Sequence, residues 1–316
     1  MNRKTFSTVF VAVLPILLGR PLNAQTESSP GERGTELAEH GRCQEGMPLI
    51  QQALGQTQDS ALKKRMGVAG LRCAMMFDRQ GDATSLLAWL EEQFPHDPDI
   101  LFLAAHVYWD LFQRSQKALI DAAPDSPLVV QLNAEGFERQ GAWKQAIDEY
   151  RILLQRAPNT PGVHYRIGRL IQELPPTATT ADDARKEFEA ELKVFPENAM
   201  AEYSLGELAR QANQLPQAIG HFTRAVNLNA SLGDAFFGLG RSLLDSDRAP
   251  DAVAPLERAV KLEPENPGAH LALATAYQRL GRKEDAAREF ALQKSTAEKI
   301  QQTTNAVRKG IAGEAP

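Results

Sequence analysis

The most constraining feature of this chain is an interval of 34 residues. Gly206, Gly240 and Ala274 are separated by it, each after a leucine (Leu205, Leu239, Leu273). The same interval links Ala218, Ala252 and Ala286, and again Phe222, Leu256 and Phe290. Self-similarity of this length is what a stack of helix-turn-helix units produces: each unit is too small to bury its apolar face alone and shares a core with its neighbours. Upstream, Gly168 lies 38 residues before Gly206 and 34 after Ala134, so the pattern survives a four-residue insertion within LPPTATT at 174–180. A loop between helices tolerates such an insertion.

The periodicity also disposes of a tempting motif. Residues 237–246 read FGLGRSLLDS, and paired glycines can cradle a phosphate when they follow a strand and open a helix. Here Gly238 and Gly240 fall inside the first helix of a repeat, and no Gly-Lys-Ser/Thr follows. Small residues on the first helix (Gly206, Gly240, Ala274) and the second (Ala218, Ala252, Ala286) let two antiparallel helices approach closely, where a larger side chain would wedge them apart. Glycine costs a helix interior about 1 kcal/mol relative to alanine, so packing has to compensate. Pro216 and Pro250 fall at or near the first turn of the second helices, where a missing N–H does no harm. Pro158, Pro196, Pro264 and Pro267 mark joints, and Pro255 is expected to kink the helix that contains it.

Residues 127–160 carry Ala134, Phe137, Gly141, Ala146, Tyr150 and Pro158, with Leu153 departing from an otherwise complete set. This pattern resembles the tetratricopeptide repeat family. Residues 267–300 repeat it in Ala274, Tyr277, Gly281, Ala286 and Phe290, with Gln293 departing. Repeats 199–232 and 233–266 have Asn213 and Asp247 where the turn glycine would stand, and both types tolerate left-handed geometry. The resemblance implies an all-α fold, an α-solenoid of antiparallel helix pairs. Five repeats are expected at 127–160, 161–198, 199–232, 233–266 and 267–300. Degenerate repeats are expected over 35–126, bringing the total to eight. CAMMFDRQGD at 73–82 matches NAEGFERQGA at 133–142 with a shift of 60, so Phe77 and Gly81, in the places of Phe137 and the turn Gly141, mark one of them, spanning roughly 60–97. DILFLAAHVYWDLFQRSQKALIDAAP at 99–124 reads as a shortened copy. The helix beginning near Glu284 is expected to cap the array, with Ile300 and Val307 on one face; residues 25–34 and 310–316 are expected to be disordered.

Residues 1–24 read as a secretory signal peptide. Arg3 and Lys4 precede the apolar run Val9–Leu18, and a small residue, Ala24, stands at the expected cut. The run is too short to span a bilayer, which takes roughly 20 residues. An exported protein, periplasmic or secreted, with no membrane insertion after cleavage, is therefore expected. Net charge is −5 for the whole chain, and −8 once residues 1–24, with Arg3, Lys4 and Arg20 and no acid, are removed. That balance argues against nucleic-acid partners, whose phosphates call for Lys and Arg.

Cys43 and Cys73 are the only cysteines, and an oxidising compartment allows them to bond. Two readings stand: a disulfide stapling the weak end of the array, or two separate buried thiols. The six histidines share no ligand spacing, so neither a metal nor another cofactor is expected, and no catalytic constellation stands out. The chain is read as non-enzymatic.

The family resemblance implies that the concave face is lined by first-helix positions 2, 5, 9, 12 and 13. Position 5 is Gln131, Tyr165, Tyr203, Phe237 and Leu271; position 9 is Glu135, Arg169, Glu207, Arg241 and Thr275; position 12 adds Arg210. Positions 5 and 9 share one helical stripe. Tyr165, Arg169, Tyr203, Glu207, Arg210, Phe237 and Arg241 are thus the candidate peptide-binding residues, since aromatic and Arg side chains are favoured anchors. The Lys/Asn pairs with which some members of the family clamp a chaperone's C-terminal carboxylate are absent. Two functions follow as expectations: a scaffold binding another protein or peptide, or an accessory subunit of an envelope assembly or maturation complex that positions a catalytic partner.

Overall fold

Short polar side chains begin many of the helices. In the computed structural model, which describes residues 28–311, Ser29, Asp59, Ser126, Asn198 and Asn266 each accept hydrogen bonds from backbone N–H groups of the following helix. These donors have no intrahelical carbonyl to reach. Fifteen helices and no strand are present among the described residues. They form two compact units divided after Lys117.

The N-terminal unit contains α1 (Pro30–Glu39), α2 (Cys43–Leu54), α3 (Ser60–Met76), α4 (Gln80–Gln93) and most of α5 (Pro98–Ala122). The C-terminal unit holds α6 (Pro127–Arg139), α7 (Trp143–Arg156), α8 (Val163–Glu173), α9 (Thr180–Val194), α10 (Ala199–Gln211) and α11 (Leu215–Leu228). It continues with α12 (Gly233–Asp245), α13 (Ala249–Leu262), α14 (Pro267–Arg279) and α15 (Lys283–Ile311). Each even-numbered helix from α6 to α14 pairs with the next helix, and successive pairs pack on one another. This is an α-solenoid of helix pairs.

The turn inside a pair is fixed by one residue in the left-handed region. Gly41, Asp78, Gly141, Asn213, Asp247 and Gly281 all have φ between 55° and 78°. Only α8 and α9, joined by the longer 174–179 loop, lack this turn. Aligning on these residues brings out a register common to both units. Five residues after each turn stands a small buried residue: Gly46, Ala83, Ala146, Ala218, Ala252 and Ala286. Nine residues after it stand Ile50, Leu87, Tyr150, Phe222, Leu256 and Phe290, the first five fully buried or nearly so.

The close approach inferred for the glycines is explicit. A Cβ on Gly206 would lie 2.8 Å from the Phe222 ring, and one on Gly238 would lie 2.6 Å from the same ring. Gly240 presses in the same way on Leu256. The two glycines of FGLG therefore serve two contacts, one with the preceding pair and one with the helix's own partner.

Several expectations need correction. Helix starts at Pro30, held by a capping box in which Ser29 and Glu32 bond to each other's backbone N–H, so residues 30–34 are not disordered. The other end is helical to Ile311, two residues into the tail expected at 310–316. The turn of the second pair is Asp78, and Gly81 lies inside α4; the similarity at a shift of 60 was three residues out of register. The shortened copy at 99–124 is one helix, α5, so the described residues form seven pairs and a single helix rather than eight pairs. Pro255 lies within α13, which runs without interruption from Ala249 to Leu262. The signal peptide expected over residues 1–24 lies outside the described residues.

Cys43 at the start of α2 and Cys73 in α3 are joined by a disulfide with a Cα–Cα distance of 5.4 Å. Both are buried in the apolar core of the N-terminal unit among Met47, Ile50, Leu71 and Leu87.

Candidate peptide-binding face

In the C-terminal unit the first helices of successive pairs approach one another, α10 touching α12 and α12 touching α14. The candidate residues lie on this layer. Tyr165 and Arg169 are one turn apart on α8, Tyr203, Glu207 and Arg210 follow one another on α10, and Phe237 and Arg241 are one turn apart on α12.

All three aromatics are half-buried, and each is seated from below by its own pair or reaches the next one. The Tyr165 ring lies 5.8 Å from the Phe188 ring of α9, and the Tyr203 ring lies 6.0 Å from Phe222 of α11. Burial raises the Tyr165 hydroxyl's pKa, against the influence of Arg169 and a hydrogen bond with Ser204 of α10. Burial likewise pushes Tyr203 up to about 12, assisted by the Glu207 and Asp234 carboxylates. Phe237 reaches α14, where a Cβ on Gly268 would lie 3.2 Å from its Cζ. Tyr165 and Phe237 thus bridge neighbouring first helices while Tyr203 packs on its own pair, and all three still present a face to solvent, which combines packing with display.

The charged residues alternate around them. Arg210 donates to Glu207 at 2.8 Å, and that bond raises the guanidinium's pKa. Arg241 lies over the Phe237 ring with its Cζ 5.6 Å from the centroid, within range of a cation–π contact. Arg169 is exposed beside Tyr165. Between these cations lies an acidic stretch that the sequence reading missed. The Asp234 pKa is raised by burial and by the nearby Glu263 and Glu207 carboxylates. A signal existed for it: Asp234 occupies position 2 of its repeat, one of the positions assigned to the inner face but not followed onto this sequence. Glu263, at the end of α13, carried no such signal. The surface therefore runs from basic at Arg169, through the Glu207–Arg210 ion pair and acidic Asp234, to basic at Arg241, with an aromatic ring on each of the three helices.

The remaining polar groups on these helices are used internally. Glu191 of α9 is fully buried, and its oxygens accept from the backbone N–H groups of Gly162 and Tyr165 at 2.7 and 3.2 Å and from Asn198 at 3.0 Å. It caps α8, whose own N-cap, Gly162, has no side chain to do so. His164, His221 and His270 each pair with a glutamate on the partner helix, namely Glu187, Glu202 and Glu289. Among the described residues no group of three His, Cys, Asp or Glu converges as metal ligands would. No described helix is long and apolar enough to cross a membrane.

Comparison with known proteins agrees with this architecture. The family model of the tetratricopeptide repeat matches residues 181–232 and 237–295. A double mutant of MamA RS-1 is similar over 56% of this chain and 97% of its own, at 20% identity and a TM-score of 0.50. MamA from Desulfovibrio magneticus RS-1, from residue 41 onward, is 20% identical over 55% of this chain and 97% of its own, with a TM-score of 0.49. YrrB, described as a TPR protein with an unusual peptide-binding site, is 18% identical over 61% and 97% of the two chains, with a TM-score of 0.49. At such identities the likeness is one of fold. Comparison with curated proteins gives no match. The chain carries tetratricopeptide repeats, recognised by family model between residues 181 and 295, within a unit built throughout of stacked helix pairs.

Proposed function

We propose that this chain is an exported, non-enzymatic scaffold that binds an extended segment of another protein across Tyr165, Tyr203 and Phe237. The observation that carries this reading is the ladder itself. Three aromatic rings on successive first helices are each half-buried and flanked by Arg169, Glu207 and Arg241. First helices stacked about 10 Å apart meet an extended peptide once in roughly three residues of about 3.3 Å each. Anchoring side chains at that spacing, with basic, acidic and basic groups beside them, suit a ligand whose own charges alternate in the opposite sense. Export is supported by Arg3, Lys4, the apolar run and Ala24, and by a disulfide of the kind that persists in oxidising compartments.

The test is affinity capture from envelope extracts with the wild type and with a Tyr203→Ala, Arg241→Ala double variant. Loss of an anchor of this type costs about 2 kcal/mol or more, roughly thirtyfold in affinity, so partners of the wild type are expected to disappear. An unchanged set of partners contradicts the groove. N-terminal sequencing of the exported protein tests cleavage after Ala24.

A further inference from the structure

Helix α5 is the one helix without a partner among the described residues, and it has the register of a first helix. Asp97 caps it, accepting from the N–H groups of Asp99 and Ile100 at 3.0 and 3.4 Å. Counted from the caps Ser126, Asn198 and Asn266 of α6, α10 and α14, the eighth residue is Ala134, Gly206 or Ala274, each buried, and Gly206 lies against Phe222 of its own second helix. The eighth residue of α5 is Ala105, and it is exposed. The fourth residue repeats the contrast. Glu202 and His270 are buried and bond to His221 and Glu289 on their second helices, whereas Leu101 is 50% exposed. An adjoining side of α5, carrying Ile100, Ala104 and Val107, is fixed in the core of the unit. What stands open is the side that a second helix closes in every complete pair.

That side is apolar. Leu101, Ala105, Tyr108 and Phe112 form one helical stripe, spaced by four, three and four residues. Tyr108 is 51% exposed and donates its hydroxyl to Glu91 of α4 at 2.8 Å. Trp109, 56% exposed, flanks the stripe with its ring 5.8 Å from that of Phe112. His106, Asp110 and Arg114 lie further round the helix, and Arg114 donates to Asp110 at 2.6 Å. A helix seated on the stripe therefore buries no unpaired charge.

We infer that the open side is covered by α5 of a second copy of this chain, running antiparallel about a two-fold axis that passes between residues 106 and 107. A spacing of four, three and four is the same from either end, so one two-fold sets Ala105 against the partner's Tyr108 and Leu101 against the partner's Phe112. Each layer then places a smaller side chain on an aromatic ring, as Gly206 lies on Phe222 within one chain. Short turns make the pairs within the chain antiparallel too. The contact uses the same surface on both copies and closes at two. Covering the exposed parts of Leu101, Tyr108 and Trp109 on both copies removes about 700 Å² from water, more than half of the roughly 1,200 Å² at which specific interfaces begin. The contact does not involve the aromatic ladder and does not depend on it.

The test uses the full chain. Light scattering after gel filtration should give twice the mass of one chain, falling to a single mass on dilution. Ala105→Glu sets two carboxylates beside the axis and should raise the dissociation constant at least hundredfold, while the exposed position leaves helical circular dichroism unchanged. Leu128→Glu, which charges an exposed leucine on α6, is the control and should leave the dimer as it was. In an oxidised mixture Leu101→Cys should cross-link with Phe112→Cys but not with itself, because the two-fold holds residue 101 of the two copies about 16 Å apart along the axis. The native cysteines are bonded to each other and do not compete. A dimer that survives Ala105→Glu, or cross-linking of Leu101→Cys with itself, overturns the inference. So does a single-chain mass at every concentration, including that of a monomer whose open side takes up an amphipathic helix of another protein.

Discussion

The two units solve the same packing problem by different means. In the C-terminal unit each pair repeats its predecessor: a small residue on the first helix lies against a large one on the second, as Gly206 does on Phe222 and Gly240 on Leu256. The N-terminal unit keeps the turn residue and the buried small residue five positions later. It also ends on a helix without a partner, and adds a disulfide between its first two pairs. Repetition lets neighbouring interfaces sum along an array; where it lapses, a covalent tie can replace part of what packing no longer supplies.

The largest effect that sharpens this contrast comes from removing the tie. Cys43 and Cys73 are 30 residues apart, and closing a loop of that length stabilises by about 3–4 kcal/mol on the chain-entropy model. Cys43→Ser with Cys73→Ser is therefore expected to lower the unfolding midpoint of the N-terminal unit and leave that of the C-terminal unit unmoved, as read by hydrogen exchange resolved along the chain. Equal loss of protection in both units breaks the comparison.

A smaller effect probes the one irregular pair of the C-terminal unit. Glu191 occupies the position that Leu153 fills in the preceding pair, yet it serves the N–H groups of Gly162 and Tyr165. Glu191→Leu restores the apolar pattern and orphans those donors, so denaturant melts should show a loss of about 1–3 kcal/mol. A gain would mean that the repeat pattern, and not the cap, governs this pair.

The smallest effect is a pH dependence. Burial by itself raises the pKa of Glu202, but hydrogen bonds with His221 and from Arg224 outweigh it and hold the carboxyl below its ordinary value of 4.5. A carboxyl whose pKa is lower in the folded chain gives stability that is complete above its unfolded value and fades as pH falls through the folded one. Thermal melts of the wild type should therefore decline below about pH 4.5, and Glu202→Gln should remove about 1–2 kcal/mol at neutral pH and flatten the decline. Parallel curves for the two proteins would assign the acid sensitivity elsewhere.

Most of the C-terminal unit was legible because its constraints are local and recur. Left-handed turns at Asn213 and Asp247, prolines at the starts of α11 and α13, and glycines beneath Phe222 and Leu256 each follow from one residue type doing one steric task. The N-terminal register was misjudged because Asp78 takes the turn while a glycine stands three residues further on, inside α4. A match between strings rewards the glycine, whereas the backbone needs only a residue that accepts positive φ. The candidate site was legible where it follows a helical stripe, as for Tyr203 and Glu207. It was not legible where it depends on burial or on a neighbouring pair, as for Ser204 and Glu263. Pairing of charges across helices is a property of the packed chain, which no spacing along one helix reports.

The contact between Gly240 and Leu256 tests the stacked-pair account most directly, through a double-mutant cycle followed by denaturant unfolding. Gly240→Leu alone should destabilise by about 1–3 kcal/mol through overpacking, and Leu256→Ala alone by about 2–5 kcal/mol. Combined, they should recover at least about 1 kcal/mol relative to the sum, because the cavity left by one receives the bulk of the other. Strict additivity would mean that the two side chains do not meet, and the close approach of paired helices on which the fold and the proposed binding face depend would be contradicted.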